Sequence, residues 1–469
     1  MTEIDIHQKR WQILGVIVLS TFMATLDASI VNVALPVMAK KLGTEIHGIQ
    51  WVVTSYLLII SSCILTFGKL SDRIGKSDVF LKGFLIFGLG SLFCSLSSSL
   101  LTLVVSRIIQ AIGAAMFMSS NQGIIAAAFS QKGRGRALGL LGSTVAVGTM
   151  TGPPLGGFLV HFLNWQSIFI INIPISFIGF IVGLRILPKD KNNREKKAFD
   201  FAGSFLLISG VSLLFWAILS VNDNTMNTAA VYAAGVAGLI ALALLIPVER
   251  RAKDPVIDTE LFKIPFFNVS IFCAFITFVV VFIVNIIHPF YLQNGLNFTP
   301  AEAGLFMVAF PVATFIVAPV SGHISDTVGP RFLTVLGLIV LVAALLLFST
   351  LNLDSSAAYI VGLGVMLGAG HGIFQSPNTS IIMGLSPKEK LGTTGSINAF
   401  ARNMGMVSGI AFAVSLLYNR MSVEAGRTVE GFPYSNPQIF IDAMHFVYLA
   451  GAGLCVIGLV LTIYRILKK

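Results

Sequence analysis

Charge is what this sequence has least of. Of its 469 residues 11% are Asp, Glu, Lys or Arg, while 55% are hydrophobic and the mean hydropathy is +0.87. Soluble domains carry about 25% charged residues, so the composition excludes a water-soluble globular enzyme and a disordered chain alike. Cysteine is scarce too: Cys63, Cys94, Cys273 and Cys455 stand singly in apolar runs, without the spacing of a metal site or a disulfide framework. They are read as packing residues, and no cofactor is called for. No G-x-x-x-x-G-K-[ST], H-E-x-x-H or G-x-S-x-G occurs, which argues against an ATP-driven pump within this chain and against the hydrolase chemistries those motifs serve.

Apolar length is what is abundant. A helix needs about 20 apolar residues to cross the roughly 30 Å hydrocarbon layer. Fourteen segments qualify: 11-37, 47-67, 79-98, 100-122, 136-160, 167-187, 201-220, 229-248, 267-292, 301-322, 332-351, 357-383, 394-418 and 444-466. They are too long for membrane strands and do not alternate. The expected class is an all-α integral membrane protein with 14 transmembrane helices. Segment 1 follows Lys9 and Arg10, but it is too long for a signal peptide and lacks a small-residue cleavage site, so it is read as retained.

An even number of crossings puts both termini on one side. That side's loops hold 25 of the 31 Lys and Arg residues, and the opposite loops hold Lys40, Lys41, Arg420 and Arg427. The excess places the termini in the cytoplasm and explains the net charge of +10 without any nucleic-acid partner.

The chain repeats itself. "GKLSDRIGKSDVFL" from Gly68 and "GHISDTVGPRFL" from Gly322 match at Gly68/Gly322, Ser71/Ser325, Asp72/Asp326 and Gly75/Gly329, one offset of 254 residues. Two six-helix pseudo-repeats follow, with segments 7 and 8 inserted. The domains are 1-187, a basic linker with segments 7 and 8 and the next loop over 188-266, and 267-469. Duplicated membrane halves commonly enclose a site near the midplane and expose it alternately.

The duplicated G-x-x-S-D-x-x-G loop resembles the signature of the major facilitator superfamily, and six plus two plus six helices resemble its fourteen-helix drug:proton antiporter branch. Further matches are "LDASIVNVALP", "RIIQAIGAA", "GTMTGPPLGG", "FIINIPI", "TPAEAGLFMVAFP", "SPNTSIIMG" and "ARNMGMVSG". The resemblance implies a multidrug efflux transporter of a bacterial cell membrane. It would exchange small amphiphilic substrates for protons within the lipid bilayer and work as a monomer.

Asp27 is the only acid well inside a segment. With Trp11 at the inner interface it lies roughly 24 Å along the helix. A charged Asp there costs about 2.5–3.5 kcal/mol on insertion scales, so it must be protonated or paired. Burial favours a neutral carboxyl, which suits a proton-linked switch. The plainer alternative is a structural bond between helices, with Ser29 and Asn32 helping.

Arg107 opens a stripe on segment 4 continued by Gln110, Ala111, Met118 and Asn121, a face for a wet cavity or for an ion pair. The resemblance associates this position with proton transfer. Further cavity-lining candidates are Asn32 in segment 1, Asn285 and His288 in segment 9, His371, Gln375 and Asn378 in segment 12, and Asn398 and Arg402 in segment 13; hydrogen bonding between packed helices is the other reading. Arg402 would favour an anionic group.

Segment 5 sets Gly148, Gly152 and Gly156 on one face for close helix approach. Gly157 follows, and Pro153 and Pro154 favour a bend. This stretch resembles the antiporter motif of exporters. In the loops, Gly68, Asp72, Arg73, Gly75, Lys76 and Asp326 are gating candidates by resemblance, a solvated turn being the cheap alternative. Glu302, in "TPAE", is read as a capping box with Thr299 and Pro300.

The leading expectation is therefore a secondary transporter exporting drug-like compounds for protons. The alternatives are a narrow exporter of an anionic or lipid-like metabolite, a channel and, more remotely, a membrane-embedded enzyme.

Overall fold

A computed structural model describes residues 9–129, 131–188, 200–220, 227–251, 260–387, 390–429 and 431–468. Among them no strand occurs. The first helices are α1 (Arg10–Leu42), α2 (Ile46–Ile74), α3 (Lys76–Leu96), α4 (Leu100–Ala128) and α5 (Gln131–Phe162). Next, α6 comes in two pieces, Ser167–Ile170 and Asn172–Ile186, before α7 (Phe201–Ser220) and α8 (Thr228–Arg251). A π-helical turn, Tyr291–Gly295, prolongs α9 (Phe267–Phe290), and α10 breaks at Val308 into Pro300–Met307 and Ala309–Val328. The rest are α11 (Pro330–Phe348), α12 (Ala357–Leu385), α13 (Leu391–Ala425) and α14 (Gln438–Leu467).

Thirteen candidate spans among the described residues are long and apolar enough to cross a membrane, and α5 supplies the fourteenth segment. The protein is an all-helical, multi-pass membrane protein. Its helices outrun the apolar segments: α1 continues to Leu42 and α13 to Ala425, because backbone hydrogen bonding continues past the apolar layer. Residues 189–199 of the 188-200 linker and 252–259 of the 249-265 loop lie outside the described residues.

Two compact units emerge from the packing. One comprises Met1–Ala28, Ser55–Thr149 and Gln166–Thr259, the other Ser29–Thr54, Met150–Trp165 and Glu260–Lys469. Three helices, α1, α2 and α5, thus contribute to both, and α1 passes from one to the other just after Asp27.

Within the first unit α3 and α4 pack backbone to backbone: a Cβ at Gly83 would meet the Gly113 carbonyl oxygen at 2.8 Å and the Phe117 nitrogen at 3.0 Å. In the second unit Gly337 of α11 meets the Gly370 carbonyl and the Phe374 nitrogen of α12 at 2.9 and 2.6 Å. Gly83 and Gly337 are 254 residues apart, and Gly113/Gly370 and Phe117/Phe374 are each 257 apart. The repeat seen in the loops therefore extends to helix contacts. The α1–α5 seam is echoed likewise: Gly148 abuts Phe22 and Thr25, and Gly405 abuts Phe275 and Phe278.

The repeated loops share a conformation as well. Ser71 and Ser325 carbonyls accept from the Gly75 and Gly329 N–H groups at 3.0 Å each. Both glycines precede a helix at positive φ, 115° and 91°, where a Cβ is strained. The last glycine of each G-x-x-S-D-x-x-G is therefore a backbone requirement. Replacing Gly329 by Ala should destabilise the protein by about 1–3 kcal/mol, read as a lower Tm in detergent. Gly362→Ala, at a helical site with open space around it, should leave Tm unchanged or raise it.

Candidate functional site

The first unit buries a charge cluster built from five helices. Asp27 of α1 and Arg107 of α4 are both fully buried, and Arg107 Nη1 donates to Asp27 Oδ2 at 2.5 Å. The other carboxylate oxygen accepts from Gln110 Nε2 at 2.9 Å and from Asn172 Nδ2, at the start of the second piece of α6, at 2.7 Å. Gln110 also donates to Ser91 Oγ of α3 at 2.8 Å and accepts from Arg107 Nη1 at 2.6 Å. The Tyr56 ring of α2 lies 4.0 Å from the guanidinium carbon, and Phe169 lies 5.6 Å from it.

Three donors converge on the two carboxylate oxygens, and the ring faces stabilise the cation. Of the two expectations for Asp27, protonated or paired, this arrangement is the paired one. Each group is the other's counter-ion in a fully buried place.

The sequence placed Asp27, Arg107 and Gln110 among its candidates, and the fold brings them together. Asn121, further along the same stripe, donates to Thr21 Oγ1 of α1 at 3.0 Å, and Met118 is half-buried. Asn172 was missed, although it sits in the quoted "FIINIPI", because a lone polar residue in an apolar run does not announce its partner. Tyr56 and Ser91 carry no sequence signal for this role.

In the second unit Asn32 Nδ2 donates to Asn285 Oδ1 at 3.1 Å, and Gln293 Nε2 donates to the Val33 carbonyl at 2.9 Å. The glycines of α5 divide their contacts. Gly148, in the first unit, abuts Thr25, whose hydroxyl is turned back onto its own helix. Gly152 and Gly156 abut Ser29 and Ile30 in the second unit, while Gly157 approaches the Pro300 carbonyl and Gly304 of α10 approaches that of Pro153. Pro153 is buried, Pro154 half-buried, and α5 runs through both as one helix.

The other candidates lie apart. Asn378 donates to the Ser270 carbonyl at 3.0 Å and accepts from Arg465 at 3.2 Å; Arg465 also reaches Ser270 and Thr334, joining α9, α11, α12 and α14. The structure thus gives Asn378 an interhelical bond. His371 lies between Phe278 and Phe310, ring centroids 5.0 and 5.8 Å away, and His288 packs on Tyr291 and Phe348. Each has a buried Nδ1 without a hydrogen-bond partner among the described residues. Gln375, Asn398 and Arg402 are half-buried. Arg402 Nε is buried and has no hydrogen-bond partner among the described residues.

At the loops, Gly68 has open space around it, Arg73 is exposed, and the Lys76 stem lies over Gly123. The side chains of Asp72 and Asp326 lie outside the described ones. Glu302 closes the expected capping box, its carboxylate accepting from the Thr299 N–H at 2.8 Å. The four cysteines are buried and unpaired.

Residues 17–410 match the sequence profile of the Major Facilitator Superfamily. The chain belongs to that family. It is 34% identical over 466 residues to "Riboflavin transporter RibZ" of Clostridioides difficile (strain 630), covering 98% of both chains. It is 32% identical over 400 residues to "Multidrug resistance protein Stp" of Mycobacterium tuberculosis (strain CDC 1551 / Oshkosh), covering 85% of this chain and 74% of that protein. A bacterial homolog of the human lysosomal transporter Spinster shares the fold, with TM-score 0.67 at 15% identity and 97% of each chain covered. Membership makes the chain a transporter protein of a well-populated membrane fold, and its multidrug-resistance relatives match the branch expected from the motifs.

Removing one member of the buried pair leaves the other charge stranded. Asp27→Leu should cost about 3–5 kcal/mol, seen as a large fall in Tm. Asp27→Leu combined with Arg107→Leu should recover most of that stability.

Proposed function

We propose that this chain is a secondary transporter that exports amphiphilic compounds in exchange for protons by alternating access. It does so from a bacterial cell membrane, as a monomer, with both termini in the cytoplasm. The observation that carries the reading is the buried Asp27 carboxylate held by Arg107, Gln110 and Asn172.

In the paired state Asp27 and Arg107 cancel. Protonation removes the negative charge, so the guanidinium loses its counter-ion, and the helices that carry the two groups gain a reason to move apart or to admit a new partner. Loss of the proton restores the pair. A conformational cycle that gives Asp27 access first to one side of the membrane and then to the other converts this local choice into work. The side with the excess of Lys and Arg is taken as cytoplasmic, so the far ends of α1, α2 and α5 are the outer ends.

The energetics set a limit. A charge crossing 100 mV releases about 2.3 kcal/mol, but exchanging one proton for one monovalent cation moves no net charge. The pH difference then does the work, about tenfold in gradient per unit.

A second reading concerns the cargo. With Arg107 neutralised by Asp27, the half-buried Arg402 favours an acidic or carbonyl-rich substrate over a cation. This supports the narrower exporter of an anionic or lipid-like metabolite, and the similarity to a riboflavin transporter is compatible with it.

Two outcomes test these statements. Vesicles carrying Asp27→Asn should lose uphill flux driven by a pH difference while keeping downhill exchange; uphill flux with unchanged pH dependence would refute the coupling role. In competition assays Arg402→Gln should weaken anionic competitors by about tenfold, the worth of one charge-assisted hydrogen bond, and leave cationic ones unaffected. The reverse pattern would assign the cargo a positive charge.

A further inference from the structure

The two carboxamides that meet Asp27 differ in how far they are used. Gln110 is committed at both ends: its Nε2 donates to Asp27 Oδ1 and to Ser91 Oγ, and its Oε1 accepts from Arg107 Nη1 at 2.6 Å and from the Cys94 thiol at 3.8 Å. Asn172 is committed at one end. Its Nδ2 donates to Asp27 Oδ1 at 2.7 Å, while its Oδ1 is buried without a hydrogen-bond partner among the described residues. A buried acceptor left empty costs about 1–3 kcal/mol, and native structures hold few of them.

The empty acceptor acquires a use when Asp27 carries a proton. An ionised carboxylate only accepts hydrogen bonds, whereas a protonated one must also donate. Arg107 Nη1, Gln110 Nε2 and Asn172 Nδ2 all face the carboxyl as donors, so a new O–H would meet an N–H. Arg107 has no acceptor to offer. Turning Gln110 over would set its NH₂ group against the Arg107 guanidinium. Of the other titratable neighbours, Tyr56 of α2 turns its hydroxyl to the Ala24 carbonyl at 3.5 Å, and the Cys94 thiol of α3 is directed at Gln110. Helix α6 carries no titratable group before Arg185, thirteen residues beyond Asn172.

We propose that Asn172 is a positioning residue for the proton on Asp27: its carboxamide turns over when the carboxyl is protonated, so that Oδ1 accepts the new O–H and Nδ2 takes the place Oδ1 has left. The inference rests on the proton-exchange reading above. The move is a rotation about one side-chain bond, exchanging groups of nearly equal size, and it asks for no space that a fully buried site lacks. It also conserves the number of bonds. In either orientation one end of the amide meets Asp27 and the other faces the same unpartnered spot. The carboxyl is therefore partnered in both protonation states, and neither state is trapped by the cost of an unmade hydrogen bond.

The test is infrared difference spectroscopy of the full-length protein in lipid vesicles, acid minus neutral pH, with the asparagine side-chain carbonyls isotopically labelled. Wild-type protein should show a protonated-carboxyl C=O band that is absent from Asp27→Asn. It should also show a labelled amide carbonyl moving to lower wavenumber, as a carbonyl does on accepting a hydrogen bond. That amide band should vanish in Asp27→Asn and in Asn172→Leu. If Asn172→Leu folds poorly, Asn172→Thr removes the same amide, and the band should vanish there too. A carboxyl band that depends on Asp27, without any amide movement that depends on Asn172, would overturn the proposal and leave the proton-exchange reading standing. The absence of an Asp27-dependent carboxyl band across the pH range would sink both.

Flux supplies a second readout. Asn172→Leu should lower uphill flux driven by a pH difference about fivefold, the worth of one hydrogen bond, and leave downhill exchange in place. Uphill flux at the parent's rate and with the parent's pH dependence would contradict the positioning role.

Discussion

The buried pair of Asp27 and Arg107 is the interaction on which the rest depends. Two full charges sit at 2.5 Å with no exposure to solvent, in a place where either alone would be prohibitive. Such pairs contribute little net stability, so their persistence is better explained by what changes when one charge is removed. Every other polar group in the cluster serves the ionised form: Gln110 and Asn172 donate to the carboxylate, and Tyr56 presents its ring face to the guanidinium. The cluster thus surrounds each charge with groups that complement it.

Duplication explains both the scaffold and its asymmetry. Contacts of α3 with α4 recur between α11 and α12, and those of α1 with α5 recur between α9 and α13, always through glycines that let backbones touch. At the same offsets, however, Asp27 corresponds to Val280 and Arg107 to Gly364, while Asn121 corresponds to Asn378. The second repeat keeps the packing and discards the charge pair. What it has instead is Arg402, whose own counterpart in the first repeat is Val145. The first repeat thus carries the buried ion pair, and the second carries Arg402, whose Nε has no hydrogen-bond partner among the described residues. Helix α1 connects the two themes. It holds Asp27 in one compact unit and, five residues later, Asn32 in the other, a separation of roughly 7.5 Å along a continuous helix.

Much of this was legible in the residues themselves. Hydropathy located the fourteen helices, since a bilayer imposes a length that little else in a protein requires, and the loop repeat is matched by repeated glycine contacts between helices. The cluster was half legible: a lone acid and a lone base in apolar helices draw attention, whereas Asn172 and Tyr56 look like ordinary residues until the fold brings them near. The breaks at Ile171 and Val308 and the extensions of α1 and α13 were not legible, because they depend on local backbone geometry beyond the hydrophobic pattern. The Asn32–Asn285 relation was present in the sequence as I-V-N-x-x-x-P, but only the contact shows that the copies meet. For Asn378 the contact added what the sequence left open, a bond to Arg465 and to the Ser270 carbonyl.

The central claim is that one buried carboxylate exchanges a proton as the cargo binds and leaves. Proton release on substrate binding tests it directly, with purified protein in weakly buffered detergent solution and an indicator dye or pH electrode, and no membrane gradient to interpret. The account requires a stoichiometric proton release from wild-type protein on addition of substrate, at a pH low enough to have protonated Asp27 beforehand, and none from Asp27→Asn at equal substrate occupancy. An identical release from both proteins would place the exchangeable proton elsewhere and remove the basis of the mechanism.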